Sequence, residues 1–174
     1  MKTYFYRTSK LNNKKLLISE TEDNKIYLTD NRLYALMYAS VTYINLFIDD
    51  GDGKLKFFNI VPDLFKKLYK DKIAYIYSLE SDKFLSDAPD NRRPLNDLYF
   101  TSTDVTFKNV EEVIIFDEFM KLKEDNKFRI VEKKDIPNEY IEDLKKYYKN
   151  RFDHNDMNEE EIEFFNTYLG EYIK

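Results

Sequence analysis

Apolar and polar positions alternate in short runs over most of the chain and change to a helical period only near its end. Tyr4-Phe5-Tyr6 runs into Arg7-Thr8-Ser9, which predicts an aromatic first strand passing into a polar loop over residues 10–24. Lys25-Ile26-Tyr27-Leu28-Thr29 predicts a second short strand, and Asp30-Asn31 supplies the N-cap of a helix. Leu33, Leu36, Met37, Ser40, Val41, Ile44 and Leu46/Phe47 recur at i, i+3, i+4 spacing, which predicts one long helix from 32 to about 48. Asp49-Asp50-Gly51-Asp52-Gly53 breaks it, because two glycines among three acids neither continue a helix nor form a buried strand.

Residues 55–61 then read as a strand, and Pro62-Asp63 starts a short helix through Leu64, Phe65, Leu68 and Tyr69. The clearest strand in the chain is 72–79, Lys-Ile-Ala-Tyr-Ile-Tyr-Ser-Leu. An irregular loop is expected over 86–97, which holds Pro-Asp and Arg-Arg-Pro. Strands follow at 98–102, 105–107, 113–115 and 128–131, with a brief helix at 118–122. In the tail, Asp135-Ile136-Pro137 starts a helix through about 151, with Tyr140, Ile141, Leu144, Tyr147 and Tyr148 at helical spacing, and Asn158 caps another ending near 173. Strands in the middle and helices at the end are an α+β order, without the regular alternation of a parallel α/β sheet. The expectation is a single domain over 1–174: a core of two packed, mainly antiparallel sheets over 1–132 and a helical extension over 133–174.

Composition narrows the chemistry. At 174 residues the chain suits one core that needs no staple. It has no cysteine, which excludes disulfides, thiolate metal sites and a cysteine nucleophile, and its one histidine argues against His-rich metal centres. Three glycines leave no room for a phosphate-cradling glycine loop. Lys+Arg 28 against Asp+Glu 33 gives −5, so net charge offers nucleic acid and anionic membranes no general attraction. No apolar run approaches the ~18 residues of a membrane span, and the start lacks an apolar leader, so a cytoplasmic protein is expected. The Lys-, Asn-, Ile- and Tyr-rich usage suggests a bacterial or phage source.

Several side chains invite a chemical reading and a plainer one. Asp49, Asp50 and Asp52 offer oxygen ligands to a hard cation, but no carboxylate closes the loop, and no metal is expected. His154 stands in a polar turn. Lys83, Arg92 and Arg93 suit a phosphate, although a solvated loop explains them as well. The 15 tyrosines suit either a base-stacking platform or, more simply, core edges and interface anchors.

Three pieces in order carry more information. Tyr6-Arg7-Thr8-Ser9 ends the first strand, Ile26-Tyr27-Leu28-Thr29-Asp30-Asn31 ends the second, and Tyr34-Ala35-Leu36-Met37-Tyr38-Ala39 opens the helix after it. With Ala74–Leu79 and Leu98–Ser102 downstream, the order over 4–131 resembles the ADP-ribosyltransferase-like fold superfamily, in particular small bacterial and phage members. The resemblance implies NAD lying between two small sheets, with no metal. It implies that Arg7 contacts the adenosine side and phosphates, that Thr8 adds hydrogen bonds, and that Tyr27 and Thr29 position the nicotinamide ribose. At the place where the fold's transferases carry a catalytic Glu, this chain has Tyr99. A tyrosine hydroxyl, with an ordinary pKa of about 10, is neutral where the reaction needs a negative charge. The resemblance therefore implies a protein that binds NAD or a related nucleotide with weak, altered or absent transferase activity, with Glu80, Glu111 and Glu112 as candidate substitute acids. The alternative is a non-enzymatic protein-interaction module or inhibitor of phage or toxin-neutralising type on the same scaffold.

Overall fold

In the computed structural model, residues 1–8, 14–17, 24–40, 45–51, 54–83, 85–86 and 98–170 are described. In chain order they form β1 (Lys2–Thr8), β2 (Lys15–Leu16), β3 (Ile26–Thr29), α1 (Arg32–Ala39), β4 (Phe47–Asp49), β5 (Leu55–Asn59) and α2 (Leu64–Tyr69). Then come β6 (Ile73–Ser81), β7 (Leu85–Ser86), β8 (Leu98–Thr101), β9 (Val105–Thr106), β10 (Asn109–Ile114), α3 (Ile115–Glu124), β11 (Phe128–Glu132), α4 (Asn138–Asp153) and α5 (Glu159–Phe164).

A six-stranded sheet runs in the order β10-β6-β1-β3-β8-β7 with every pairing antiparallel. A three-stranded sheet, β11-β5-β4, holds one parallel pair, β11 on β5. A short ribbon joins β2 to β9. Among the described residues the architecture is α+β, with mainly antiparallel sheets and five α-helices.

Strand alternation divides the six-stranded sheet into two faces. Tyr4 and Tyr6 of β1, Ile26 and Leu28 of β3 and Tyr77 of β6 meet Leu16, Val105 and Phe107 in a smaller cluster on one face. Phe5, Ala74, Ile76 and Val113 point the other way, into the main core shared with the helices and the three-stranded sheet. The helix α1 is buried at five consecutive positions, Leu33 to Met37, because it is covered by the sheet on one side and by the rest of the core on the other. Its start is capped as its sequence requires: Asn31 Oδ1 accepts the Leu33 N–H at 3.0 Å.

Four expectations are corrected. The helix from 32 to about 48 ends at Ala39, and Phe47–Asp49 is a strand of the second sheet. The Ser40 hydroxyl bonds back to the Leu36 carbonyl at 2.9 Å, competing with continued helix, and 41–44 lie outside the described residues. The expected loop at 10–24 contains β2, and the expected loop at 86–97 loses its first residue, Ser86, to β7, while 87–97 lie outside the described residues. The strand and helix expected at 113–115 and 118–122 are longer and shifted, as β10 and α3. The last helix gives way to a π-helical turn at Phe165–Leu169, and its expected end near 173 lies outside the described residues.

The acidic turn is a structural clamp. Arg129 Nη2 donates to Asp50 Oδ1 at 2.8 Å, its Nε donates to Oδ2, and Lys56 Nζ reaches Oδ1 at 3.1 Å. Asp49 accepts the Gly51 N–H at 2.8 Å, and Asp52 lies outside the described residues. The Arg129 bonds, and secondarily Lys56, hold the Asp50 carboxyl down at about 2, against some desolvation. A depressed carboxyl pKa contributes stability above the unfolded value of about 3.9 and loses it as pH falls toward the folded value. Acid titration of stability should therefore show a loss between about pH 5 and about pH 2 that Asp50→Asn flattens; an unchanged acid limb in the variant would contradict the clamp.

Candidate functional site

The sheet has a weak seam. β1 pairs with β6 along its whole length, from Lys2↔Ser81 to Thr8↔Tyr75, and β3 pairs with β8 at all of its four residues. Between β1 and β3 there is one bridge, Phe5↔Thr29. Beyond it, Tyr6-Arg7-Thr8 on one side and Ile26-Tyr27-Leu28 on the other continue without pairing to each other. Were the ladder continued, Arg7 would stand opposite Tyr27.

Alternation turns Arg7 to the main-core face, in register with Ile76. Its guanidinium lies 5.0 Å from the centre of the Tyr38 ring, at the end of α1, and 5.8 Å from that of Tyr6. Both distances are within cation–π range. Burial lowers the Arg7 pKa, and the electron-rich Tyr6 and Tyr38 oppose that shift; arginine stays charged regardless. Among the described residues no carboxylate pairs with it. Every other arginine described here has such a partner: Arg32 bonds Glu118 and Glu111, Arg129 bonds Asp50, and Arg151 bonds Glu161.

The other expected site residues divide. Tyr27 shares Arg7's side of the sheet, half-buried, its ring 6.5 Å from that of Phe100. Thr29 is also on that side but buried, and its hydroxyl accepts the Asn31 N–H at 3.1 Å, so it serves the turn into α1. Thr8 alternates to the opposite face. Tyr99 is also on that opposite face: its ring meets Tyr4 edge-on at 4.9 Å, and its hydroxyl donates to Asp30 at 2.9 Å and accepts from Lys2 at 3.0 Å. The structure thus brings Arg7, Tyr27 and Thr29 to one side and leaves Thr8 and Tyr99 on the other.

None of the candidate acids reaches Arg7. Glu80 is in register with Thr3, four strand residues from Ile76, or roughly 13 Å along β6. Glu111 shares Arg7's lateral row with the buried Ile76 between them, and Arg32 holds it at 2.8 Å. Glu112 faces the other way and bonds the Tyr75 hydroxyl. Glu118, which sequence reasoning did not single out, is held by Arg32 at 2.6 Å and Lys121 at 2.6 Å; despite partial burial these bonds lower its pKa.

No family model, curated protein or solved structure matches the chain. Tyr38 is the residue sequence reasoning passed over. It lies within the Tyr-Ala-rich helix motif, but its contact with Arg7 depends on how α1 crosses the sheet. Arg92 and Arg93 lie outside the described residues, and His154 closes α4, with Nδ1 2.7 Å from the Asn150 carbonyl. No described helix is long and apolar enough to cross a membrane.

Proposed function

We propose that the protein has an ADP-ribosyltransferase-like fold and binds NAD or a related nucleotide at the seam between β1 and β3, with weak, altered or absent transferase activity. The supporting observation is Arg7, a half-buried cation resting on two tyrosine rings, with no carboxylate partner among the described residues, beside the one-bridge junction. Withdrawing a charge from water without a counter-ion is costly, and an incoming phosphate would remove that cost with bidentate hydrogen bonds. Tyr27 and Tyr38 offer faces against which a ring can stack.

Transfer needs negative charge beside the ribose to stabilise an oxocarbenium-like transition state, a contribution of several kcal/mol. Glu111 is already neutralised by Arg32, and Glu80 and Glu112 stand away from Arg7, so turnover should be slow or undetectable. Calorimetric titration with NAD and with ADP-ribose tests the binding, and a mass-shift assay on protein and nucleic-acid targets tests the transfer. Binding without turnover is the expected pair of results. Absence of binding sinks the reading, and robust turnover abolished by Glu80→Gln, Glu111→Gln or Glu112→Gln would identify an acid that the present geometry leaves out. A second reading, a protein-interaction module on the same scaffold, is favoured by the β10 edge of the sheet, which is open among the described residues and carries exposed Ile114 with exposed Ile73 of β6 beside it.

A further inference from the structure

β10 is the outermost strand of the six-stranded sheet, and its register against β6 defines which backbone groups face outward. The Ile115 N–H donates to the Lys72 carbonyl at 2.9 Å, with Ile114 and Ile73 as Cα partners. Such a flanking bond makes Ile114–Ile73 a pair whose own N–H and C=O groups point away from each other. Alternation then gives the same outward direction to Glu112 and Val110, while Asn109, Glu111 and Val113 bond inward to β6. Val110 and Glu112 thus offer both backbone groups to an added strand and Ile114 its N–H, the Ile114 carbonyl serving as the N-cap acceptor of α3.

Side chains along that edge specify what would fit. Ile114 and Ile73 are exposed at 42% and 45%, side by side at one end, and Val110 lies at the other. Between them Glu112 is exposed and bonds only the neutral Tyr75 hydroxyl, with no Lys or Arg pairing with it among the described residues. Glu111 is different, because Arg32 already neutralises it. A strand laid on this edge gains most if it places apolar residues opposite Val110 and Ile114 and a cation opposite Glu112. A second copy is a poor occupant: the antiparallel register that sets the outward groups of Val110 against those of Ile114 places Glu112 directly against Glu112, and like charges directly opposite destabilise.

We propose that the edge of β10, unpaired among the described residues, docks an extended segment of a partner protein by strand addition, the segment alternating apolar, basic and apolar residues on one face. This rests on the interaction reading and stands whether or not a nucleotide binds at Arg7. The probe is a fluorescein-labelled synthetic peptide, KTITKTITK, titrated against the whole protein by anisotropy, with KTITETITK as the control. The lysine peptide should bind and the glutamate peptide should not. Glu112→Lys should weaken binding about fivefold. Val110→Pro should weaken it about tenfold while leaving the circular dichroism unchanged, since that N–H makes no bond to β6. Amide exchange supplies the independent arm: in the free protein Val110, Glu112 and Ile114 exchange fast and Glu111 and Val113 slowly, and the peptide should slow the first three. Failure of KTITKTITK to bind, equal binding of the glutamate peptide, indifference to Val110→Pro, or self-association through this edge in sedimentation would each overturn the proposal. None of these results bears on the NAD titration.

Discussion

Phe65→Ala should destabilise the protein by about 3–5 kcal/mol, the largest loss expected from any single truncation here. Phe65 has no exposed surface, and its ring lies 4.9 Å from Phe57, 5.0 Å from Tyr69, 5.1 Å from Phe128 and 5.5 Å from Phe119. Those neighbours come from β5, α2, β11 and α3, so the hole would be walled by separately anchored elements that cannot collapse into it together. Total stabilities of about 5–15 kcal/mol mean that such a loss takes a large share of the fold's margin. Urea unfolding checks it: the midpoint should fall with little change in slope, and Phe65→Leu should recover most of the difference. A loss below about 1 kcal/mol would show that the aromatic cluster repacks freely.

The second large effect lies in the carboxyl-terminal helices. Arg151, near the end of α4, donates through both terminal nitrogens to Glu161 of α5, the second bond at 3.1 Å, and also to the Asp156 carbonyl. Glu161 is buried and completes a reciprocal cap with Asn158, its own N–H donating to Asn158 Oδ1 at 2.9 Å while its carboxylate accepts from the Asn158 N–H at 3.0 Å. Arg151→Met removes the counter-charge and leaves the carboxylate sheltered, which should cost about 1.5–3 kcal/mol. The lower part of that range is expected, because the arginine side chain is 24% exposed and water softens the loss. Hydrogen exchange should quicken in α5 and leave β1 and β6 unchanged, because the pair joins helix to helix. Adding Glu161→Leu should recover part of the loss; uniform weakening of the whole domain would contradict a local clasp.

Local signals in the sequence located the elements that rest on local causes. Asn31 and Asn158 announced helix starts, and the 72–79 run announced β6, because a cap or an alternating strand depends on neighbours in sequence. The α1 boundary was illegible to periodicity, since Val41, Ile44 and Leu46 continue a helical spacing with residues that also suit extended backbone. β2 has two residues and exists because Val105–Thr106 pairs with it, about ninety positions away. The site was half legible. Adjacent Arg7 and Thr8 necessarily point to opposite faces of a strand, so the Thr8 hydroxyl does not share the face of the Arg7 side chain, a consequence of the period of two. Tyr99 is turned from Arg7 by its register with Leu28, and Tyr38 meets Arg7 through the path of α1; both are tertiary facts.

The affinity of ADP-ribose for the wild-type protein and for Arg7→Ala, titrated calorimetrically in one buffer, tests the central claim most directly. A charge-assisted contact to phosphate contributes about 1.5–3 kcal/mol, so the account predicts binding that weakens about ten- to hundred-fold in the variant. The unfolding midpoint should hold or rise, because an uncompensated, half-buried charge is removed. Equal affinity in both proteins, or no binding by the wild type, would contradict it.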